Sequence, residues 1–131
     1  MTVNNNIGQH LTLDLSNCNI DKLTNVGLIY DFLLNLSKAI NMQTITLPYV
    51  VKWLDKGTEI EGISGFTMIA ESHISIHTFP EKKFIYADVF SCRNFHINRT
   101  IDLFLKIFEP KKYEKRIIKR GFIGIKDVIS S

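Results

Sequence analysis

The chain has 131 residues, of which 45% are hydrophobic and 22% are charged, values typical of one soluble globular domain. Its formal net charge of +3 is too small to indicate nucleic acid binding by itself. No apolar run approaches the ~20 residues of a membrane span, and the polar start, residues 1–9, is not a secretory signal. Two cysteines, Cys18 and Cys92, form no disulfide framework, so a reducing, cytoplasmic location is predicted.

The first half of the chain predicts a strand, a helix and a second strand. Residues 10–15 alternate between polar and apolar side chains, which is typical of a strand with one buried face. Asn19 and Asp21 are N-cap candidates for a helix that runs to about residue 41 with apolar side chains at helical spacing. Residues 43–51 are rich in β-branched and apolar side chains, and they predict the second strand.

The second half begins with a charged stretch, residues 53–61, which predicts a loop. An amphipathic helix is predicted over residues 100–108, where Pro110 stops it. Further strands are predicted over residues 73–79, 84–92 and 113–119. This order predicts a single α+β domain over residues 1–131, a two-layer sandwich of a mainly antiparallel β-sheet with two main helices packed on one face.

The densest group of reactive side chains lies between residues 64 and 92. Hydroxyls, imidazoles, carboxylates and one thiol occur there on neighbouring predicted strands, a set that can carry out acyl or proton transfer. On these residue types alone the indication is weak, because adjacent Ser and His in a strand are more often exposed polar residues. The group comprises Ser64, Glu71, Ser72, His73, Ser75, His77, Glu81, Asp88, Ser91 and Cys92.

The order of these residues resembles the core of the short-form S-adenosylmethionine decarboxylase proenzymes of bacteria and archaea, which are pyruvoyl-dependent. Residues 62–65 read Gly-Ile-Ser-Gly, and residues 70–81 read Ala-Glu-Ser-His-Ile-Ser-Ile-His-Thr-Phe-Pro-Glu. Residues 87–92 read Ala-Asp-Val-Phe-Ser-Cys, at the spacing that the family has. The opening residues 8–11, Gly-Gln-His-Leu, also resemble the start of that family.

The resemblance implies that the chain cleaves itself between Glu71 and Ser72. In the family, the serine hydroxyl attacks the preceding carbonyl, the peptide becomes an ester, and elimination leaves a pyruvoyl cofactor derived from the serine. The expected products are a β chain of residues 1–71 and an α chain of residues 72–131. Ser64 is implied to hydrogen-bond the tetrahedral intermediate, and His77 to accept a proton during this processing.

The resemblance also implies the reaction of the cleaved protein. The pyruvoyl group at position 72 forms a Schiff base with S-adenosylmethionine and takes up the electrons left by CO2, giving the aminopropyl donor for spermidine biosynthesis. Cys92 is implied as the proton donor to the product. Glu81 matches a glutamate that binds the ribose hydroxyls, with a surface turn residue after Pro80 as the alternative. Trp53 is the candidate for stacking on adenine, with a core tryptophan as the alternative.

Assembly and further ligands follow partly from the resemblance and partly from the residues. The family implies a homodimer of cleaved protomers with active sites near the interface. No metal site is predicted, because neither His10 nor His96 has metal-ligand spacing to a second His or Cys. The basic residues within 111–120 are interpreted as the solvated face of an edge strand, not as a nucleic acid site, and no membrane partner is predicted.

Two alternative functions stay open at the level of sequence. The same mechanism could act on arginine or ornithine, because residues 53–61 depart from the family pattern and carry acidic side chains that suit a cationic substrate. A non-catalytic homologue that regulates a partner decarboxylase is the second alternative. The presence of Ser72, His77 and Cys92 argues against that regulatory role.

Overall fold

The computed structural model describes residues 8–54, 56–57 and 61–121. Within these residues it contains six strands, three helices and one 3-10 turn, and none of the helices combines the length and apolar character that a membrane crossing requires. In chain order the elements are β1 (Gly8–Ser16), α1 (Ile20–Leu23), α2 (Val26–Ala39), β2 (Tyr49–Leu54), β3 (Glu61–Ile69), β4 (Ser72–Phe79), the 3-10 turn (Pro80–Lys82), β5 (Phe84–Ser91), α3 (Ile97–Phe108) and β6 (Lys112–Arg120).

The six strands form one sheet in the order β2-β3-β4-β5-β1-β6, and every pair of neighbours is antiparallel. Strands β3, β4 and β5 follow one another in sequence and in space, so they form a meander in which short turns set the register. The two longer helices, α2 and α3, pack against one face of this sheet. The predicted α+β sandwich with two main helices on one face is therefore confirmed.

Buried apolar side chains fill the space between the sheet and the helices. Strand β1 alternates as its sequence predicts, with Leu11, Leu13 and Leu15 at most 1% exposed. Gly65 on β3 lets α2 approach closely, because a Cβ atom there would lie 3.1 Å from Leu33 Cδ1. The helices contribute Ile29, Leu33, Leu36, Ile101, Phe104 and Phe108 to the same core.

The opposite face of the sheet is not covered by any helix of the described residues, and we call it the open face. It carries polar side chains along β4 and several large apolar ones that stay exposed to solvent. Phe66, Met68 and Tyr86 are 44%, 47% and 49% exposed. An apolar set of this kind on one sheet face is typical of a surface that another protein covers.

The predicted helix over residues 19–41 is wrong in one respect, because the chain forms two helices there. The Asn19 side chain caps α1 as predicted, but α1 ends after one turn at Leu23. Asn25 then starts α2, and its side chain accepts a hydrogen bond of 3.0 Å from the Leu28 backbone N–H. A second asparagine that accepts from the backbone competes with helix continuation, which explains the break.

The predicted second strand is displaced toward the C-terminus. Strand β2 covers Tyr49–Leu54, whereas Thr44 makes only an isolated bridge with Ile69. Trp53 therefore lies in a strand and not in the predicted loop. Asp55 and residues 58–60 of that predicted loop lie outside the described residues.

Replacing Asn25 with alanine is expected to lower the free energy of unfolding by about 1 kcal/mol, because the first turn of α2 loses its cap. Asn35→Ala is the matched control, since Asn35 is exposed on the same helix and alanine is the better helix former there. Urea denaturation measures both variants. Equal stability of the two variants would contradict the capping role of Asn25.

Candidate active site

A two-residue turn joins β3 to β4 and contains the predicted cleavage position. Ile69 pairs with Ser72 across the hairpin, so Ala70 and Glu71 form the turn between them. Glu71 has φ = 64°, in the left-handed region that residues with a Cβ atom rarely adopt. Such a conformation costs about 1–3 kcal/mol. Backbone strain is therefore present on the residue whose carbonyl precedes Ser72.

The hydroxyl of Ser72 is held by a second serine on the neighbouring strand. Ser72 Oγ donates a hydrogen bond of 3.0 Å to Ser91 Oγ, and Ser91 is 1% exposed. Ser91 Oγ also accepts a bond of 2.9 Å from the backbone N–H of Arg93. Cys92 follows Ser91 directly and is half-buried. Glu71, Ser72, Ser91 and Cys92 thus lie together, and we call this group the Ser72 end of the sheet.

Ser64 and His77 lie at the other end of the same strands. They face each other across the β3–β4 pairing on the open face, with 2.9 Å between Ser64 Oγ and His77 Nδ1. His77 is five positions after Ser72 along β4. At about 3.4 Å per residue this places the two about 17 Å apart. Within one chain, Ser64 and His77 are therefore close to each other and far from Ser72.

The candidate ligand-binding residues lie near His77. Trp53 pairs with Gly62 on β3, and its ring centroid is 5.8 Å from that of Phe79 in an edge-to-face contact. Glu81 is exposed in the 3-10 turn two residues after Phe79. We call the group formed by Trp53, Ser64, His77 and Glu81 the His77 end of the sheet.

An additional polar cluster on the open face was missed by the sequence analysis. Asp88 on β5 receives hydrogen bonds from His10 on β1, at 2.7 Å, and from His73 and Ser75 on β4, the first at 3.2 Å. Burial opposes ionisation of Asp88, but the hydrogen bonds from Ser75 and His10 and the charge of His73 outweigh it and hold the pKa of its carboxyl below the ordinary value.

The cluster escaped detection because its members are far apart along the chain. His10 and Asp88 are separated by 78 positions, and no short-range spacing connects them. The sequence signal that could have found them is the alternation of β1 and β5, which puts both residues on the polar side of their strands. Pairing β1 beside β5 then brings them together.

The remaining cysteine differs from Cys92. Cys18 is 4% exposed, and burial raises the pKa of its thiol to about 11. It is therefore a poor nucleophile and a poor metal ligand near neutral pH.

The model of the family described as S-adenosylmethionine decarboxylase matches residues 9–121 of this chain. The chain belongs to this family. A Clostridium botulinum (strain Langeland) relative named S-adenosylmethionine decarboxylase proenzyme is 37% identical over 119 residues, covering 88% of this chain and 96% of the relative. A Thermococcus kodakarensis relative of the same name is 33% identical over 122 residues, covering 92% of this chain and 81% of the relative.

A solved member of the S-adenosylmethionine decarboxylase family has a similar fold. The crystal structure of the adenosylmethionine decarboxylase from Aquifex aeolicus aligns with a TM-score of 0.78 at 27% identity, and the alignment covers 91% of this chain and 94% of that one. The family predicted from residues 62–65, 70–81 and 87–92 is therefore confirmed.

Replacing Gly62 with alanine is expected to displace Trp53. A Cβ atom at position 62 would overlap the indole ring and come within 2.8 Å of the Thr78 carbonyl oxygen. Overpacking of this kind costs about 1–3 kcal/mol. Trp53 is the single tryptophan of the chain, so its fluorescence emission reports the displacement directly.

Gly27→Ala is the matched control for this test, because a Cβ atom there meets only the Asn25 side chain at 3.6 Å. We expect this control to leave the emission unchanged. An unchanged emission spectrum in Gly62→Ala as well would show that the indole does not rest on Gly62.

Proposed function

We propose that this protein is a self-cleaving, pyruvoyl-dependent decarboxylase that converts S-adenosylmethionine to decarboxylated S-adenosylmethionine and CO2. The observation that carries the proposal is the junction between Glu71 and Ser72, where a strained backbone meets a serine hydroxyl oriented by a buried partner. The names of the curated relatives, which include the word proenzyme, support the same reading.

The first chemical step uses the Ser72 hydroxyl. Its Oγ forms a bond to the carbonyl carbon of Glu71, the C–N bond breaks, and the peptide becomes an ester with a free amine on residue 72. Left-handed strain at Glu71 raises the energy of the starting peptide, which lowers the barrier to the ester. The hydrogen bond to Ser91 fixes the direction of the attacking oxygen.

The second step divides the chain. Removal of the α-proton of residue 72 expels the Glu71 carboxylate, and hydrolysis of the resulting dehydroalanine releases ammonia and leaves the pyruvoyl group. The products are a β chain of residues 1–71 and an α chain of residues 72–131. Strands β3 and β4 then belong to different chains, yet their backbone pairing keeps them adjacent.

Cys92 is proposed as the proton donor of the mature enzyme. A pyruvoyl group at position 72 would supply the electron sink for loss of CO2. Because Ser91 pairs with Ser72, the next residue, Cys92, lies beside the position where the substrate carbon is reprotonated. A positioned general acid contributes about 10²- to 10⁴-fold to such a step.

The distance between the two ends of the sheet supports a homodimer. His77 cannot reach Ser72 of its own chain across about 17 Å. A two-fold axis that runs across the strands between two stacked open faces exchanges the ends, and it places His77 of one protomer over the Ser72 end of its partner, at the β3–β4 turn. Such stacking also buries Phe66, Met68 and Tyr86, which are exposed in one chain.

The His77 end suits the nucleoside part of S-adenosylmethionine. The exposed Glu81 carboxylate can accept hydrogen bonds from two neighbouring ribose hydroxyls. The indole of Trp53 offers an aromatic surface for the adenine ring. In the proposed dimer this end of one protomer completes the Ser72 end of the other, so each active site contains residues from both chains.

We also propose a role in spermidine biosynthesis and a cytoplasmic location. The product is an aminopropyl donor, which fits a role in spermidine biosynthesis. Cys18 and Cys92 are free thiols, and this supports a reducing, cytoplasmic location.

Ser72→Ala is expected to give a single uncut chain without activity, whereas Ser16→Ala should cleave normally because Ser16 lies at the far end of β1. Intact mass spectrometry of denatured protein measures cleavage, and release of labelled CO2 from S-adenosylmethionine, arginine and ornithine measures turnover. Turnover by uncut Ser72→Ala protein would rule out the pyruvoyl mechanism, and preference for arginine or ornithine would reassign the substrate.

In the same measurements, Cys92→Ala should still cleave but should turn over S-adenosylmethionine about 10²- to 10⁴-fold more slowly than the wild type.

Complementation between two inactive variants tests the shared active site. Ser72→Ala and His77→Ala should each stay uncut alone. When they are co-expressed, the His77→Ala chain should be cleaved, because its Ser72 meets His77 of the partner protomer. The Ser72→Ala chain should stay intact in the same mixture. Cleavage of neither chain would contradict the exchange of His77 between protomers.

A further inference from the structure

His10, His73 and Asp88 bring three metal-ligating atoms together on the open face. The two imidazoles and the carboxylate offer one ligand atom each, and these atoms all lie within 4.8 Å of one another. Both histidines present Nε2 to the same carboxylate oxygen, Asp88 Oδ2, at 2.7 Å and 3.2 Å. None of the three is used in the cleavage or decarboxylation steps proposed above.

The backbone fixes this arrangement, because the three residues lie on the adjacent strands β4, β5 and β1. His10 and His73 both pair with Phe90, one on each side of β5, and their rings lie 5.5 Å and 5.7 Å from the Phe90 ring. Both imidazoles therefore reach along β5 from Phe90 toward Asp88. Ligands held on neighbouring strands need little rearrangement to bind an ion.

The charge and access of the cluster also suit a cation. In one chain the side chains of His10, His73 and Asp88 are 21%, 44% and 23% exposed, so an ion can bind before two open faces meet in the proposed dimer. Ser75 donates a hydrogen bond to the other carboxylate oxygen, Oδ1, and leaves Oδ2 directed at the histidines. A partner of this kind orients a ligating carboxylate.

We propose that His10, His73 and Asp88 bind a divalent transition-metal ion such as Zn²⁺. Two imidazole nitrogens and one carboxylate oxygen are a donor set that this ion class prefers over Mg²⁺ or Ca²⁺. Three protein ligands leave at least one coordination position for water. On binding, the ion replaces the hydrogen bonds that now join the two histidines to Asp88.

The three ligands lie on both sides of the proposed cleavage position, which gives the ion a structural role. This role rests on the proposed function, because it requires cleavage before Ser72. Cleavage before Ser72 puts His10 in the β chain, whereas His73 and Asp88 are in the α chain. A bound ion then connects the two chains through side chains, in addition to the backbone pairing of β1 with β5. It therefore opposes their separation.

Cobalt(II) is the probe for the site, because its visible absorption reports the number and type of its ligands. Chelator-treated protein should bind one equivalent with a dissociation constant of about 10 μM or tighter. His10→Gln and His73→Gln should each weaken binding at least about 100-fold, and Ser75→Ala about 10-fold. His96→Gln is the matched control, since this histidine caps α3 away from the cluster, and it should bind as the wild type does.

Two results of the titration would overturn the site. One is the absence of saturable binding at millimolar cobalt(II), and the other is binding that both histidine variants leave unchanged. A thiolate-to-cobalt charge-transfer band would count as the second result, because it assigns the ion to cysteine. Each variant is first compared with the wild type by circular dichroism, and His10→Asn replaces His10→Gln if the latter is unfolded.

The bridging role has its own measurement on cleaved protein. Zn²⁺ should raise the urea concentration at which the β and α chains separate, relative to protein in EDTA, and His10→Gln should abolish the difference. An equal midpoint with and without Zn²⁺ would overturn the bridge while leaving the cobalt(II) result intact. A chain that never cleaves would instead contradict the proposed function, and the titration would still decide the metal site.

Discussion

Strand β4 is hydrogen-bonded on both sides, to β3 and to β5, and this register sets the positions of Ser72, Ser75 and His77. It places Ser72 beside Ser91, Ser75 beside Asp88 and His77 beside Ser64. A slip of one residue would move every β4 side chain to the other face of the sheet and expose the isoleucines that now form its core. The buried alternation of β4 therefore keeps Ser72 beside Ser91 on the helix-covered side and keeps Ser75 and His77 on the open face.

The same register places backbone strain in the turn before Ser72. Because Ile69 and Ser72 are paired, only two residues remain to reverse the chain, and Glu71 adopts a left-handed conformation that glycine or asparagine would accept more easily. The core packing of β3 and β4 holds this turn in place. Apolar burial in the sheet therefore offsets the conformational strain at Glu71, next to the bond that the proposed reaction breaks.

Much of this architecture could be predicted from the sequence. Alternation in residues 10–15 and 73–79 gave strands of the observed type, and the strings around Ser72 identified the family. The break at Asn25 could not be predicted, because Asn19 and Asn25 are both acceptable caps and the sequence does not show whether one or both start a helix. The separation of Ser72 from His77 follows from their spacing along one strand and could have been predicted. The meeting of His10 with Asp88 depends on strand order, which a local pattern does not contain.

Strand β6 forms one edge of the sheet, and all nine of its residues are exposed. Five of them are lysine or arginine, and one of these, Arg116, is paired with Asp14 and Glu114. Two copies meeting edge to edge would bring these charges together, which disfavours continuous growth of the sheet from one molecule to the next. In the proposed dimer the two open faces cover each other, so assembly ends at two molecules and gives a closed particle instead of a fibre.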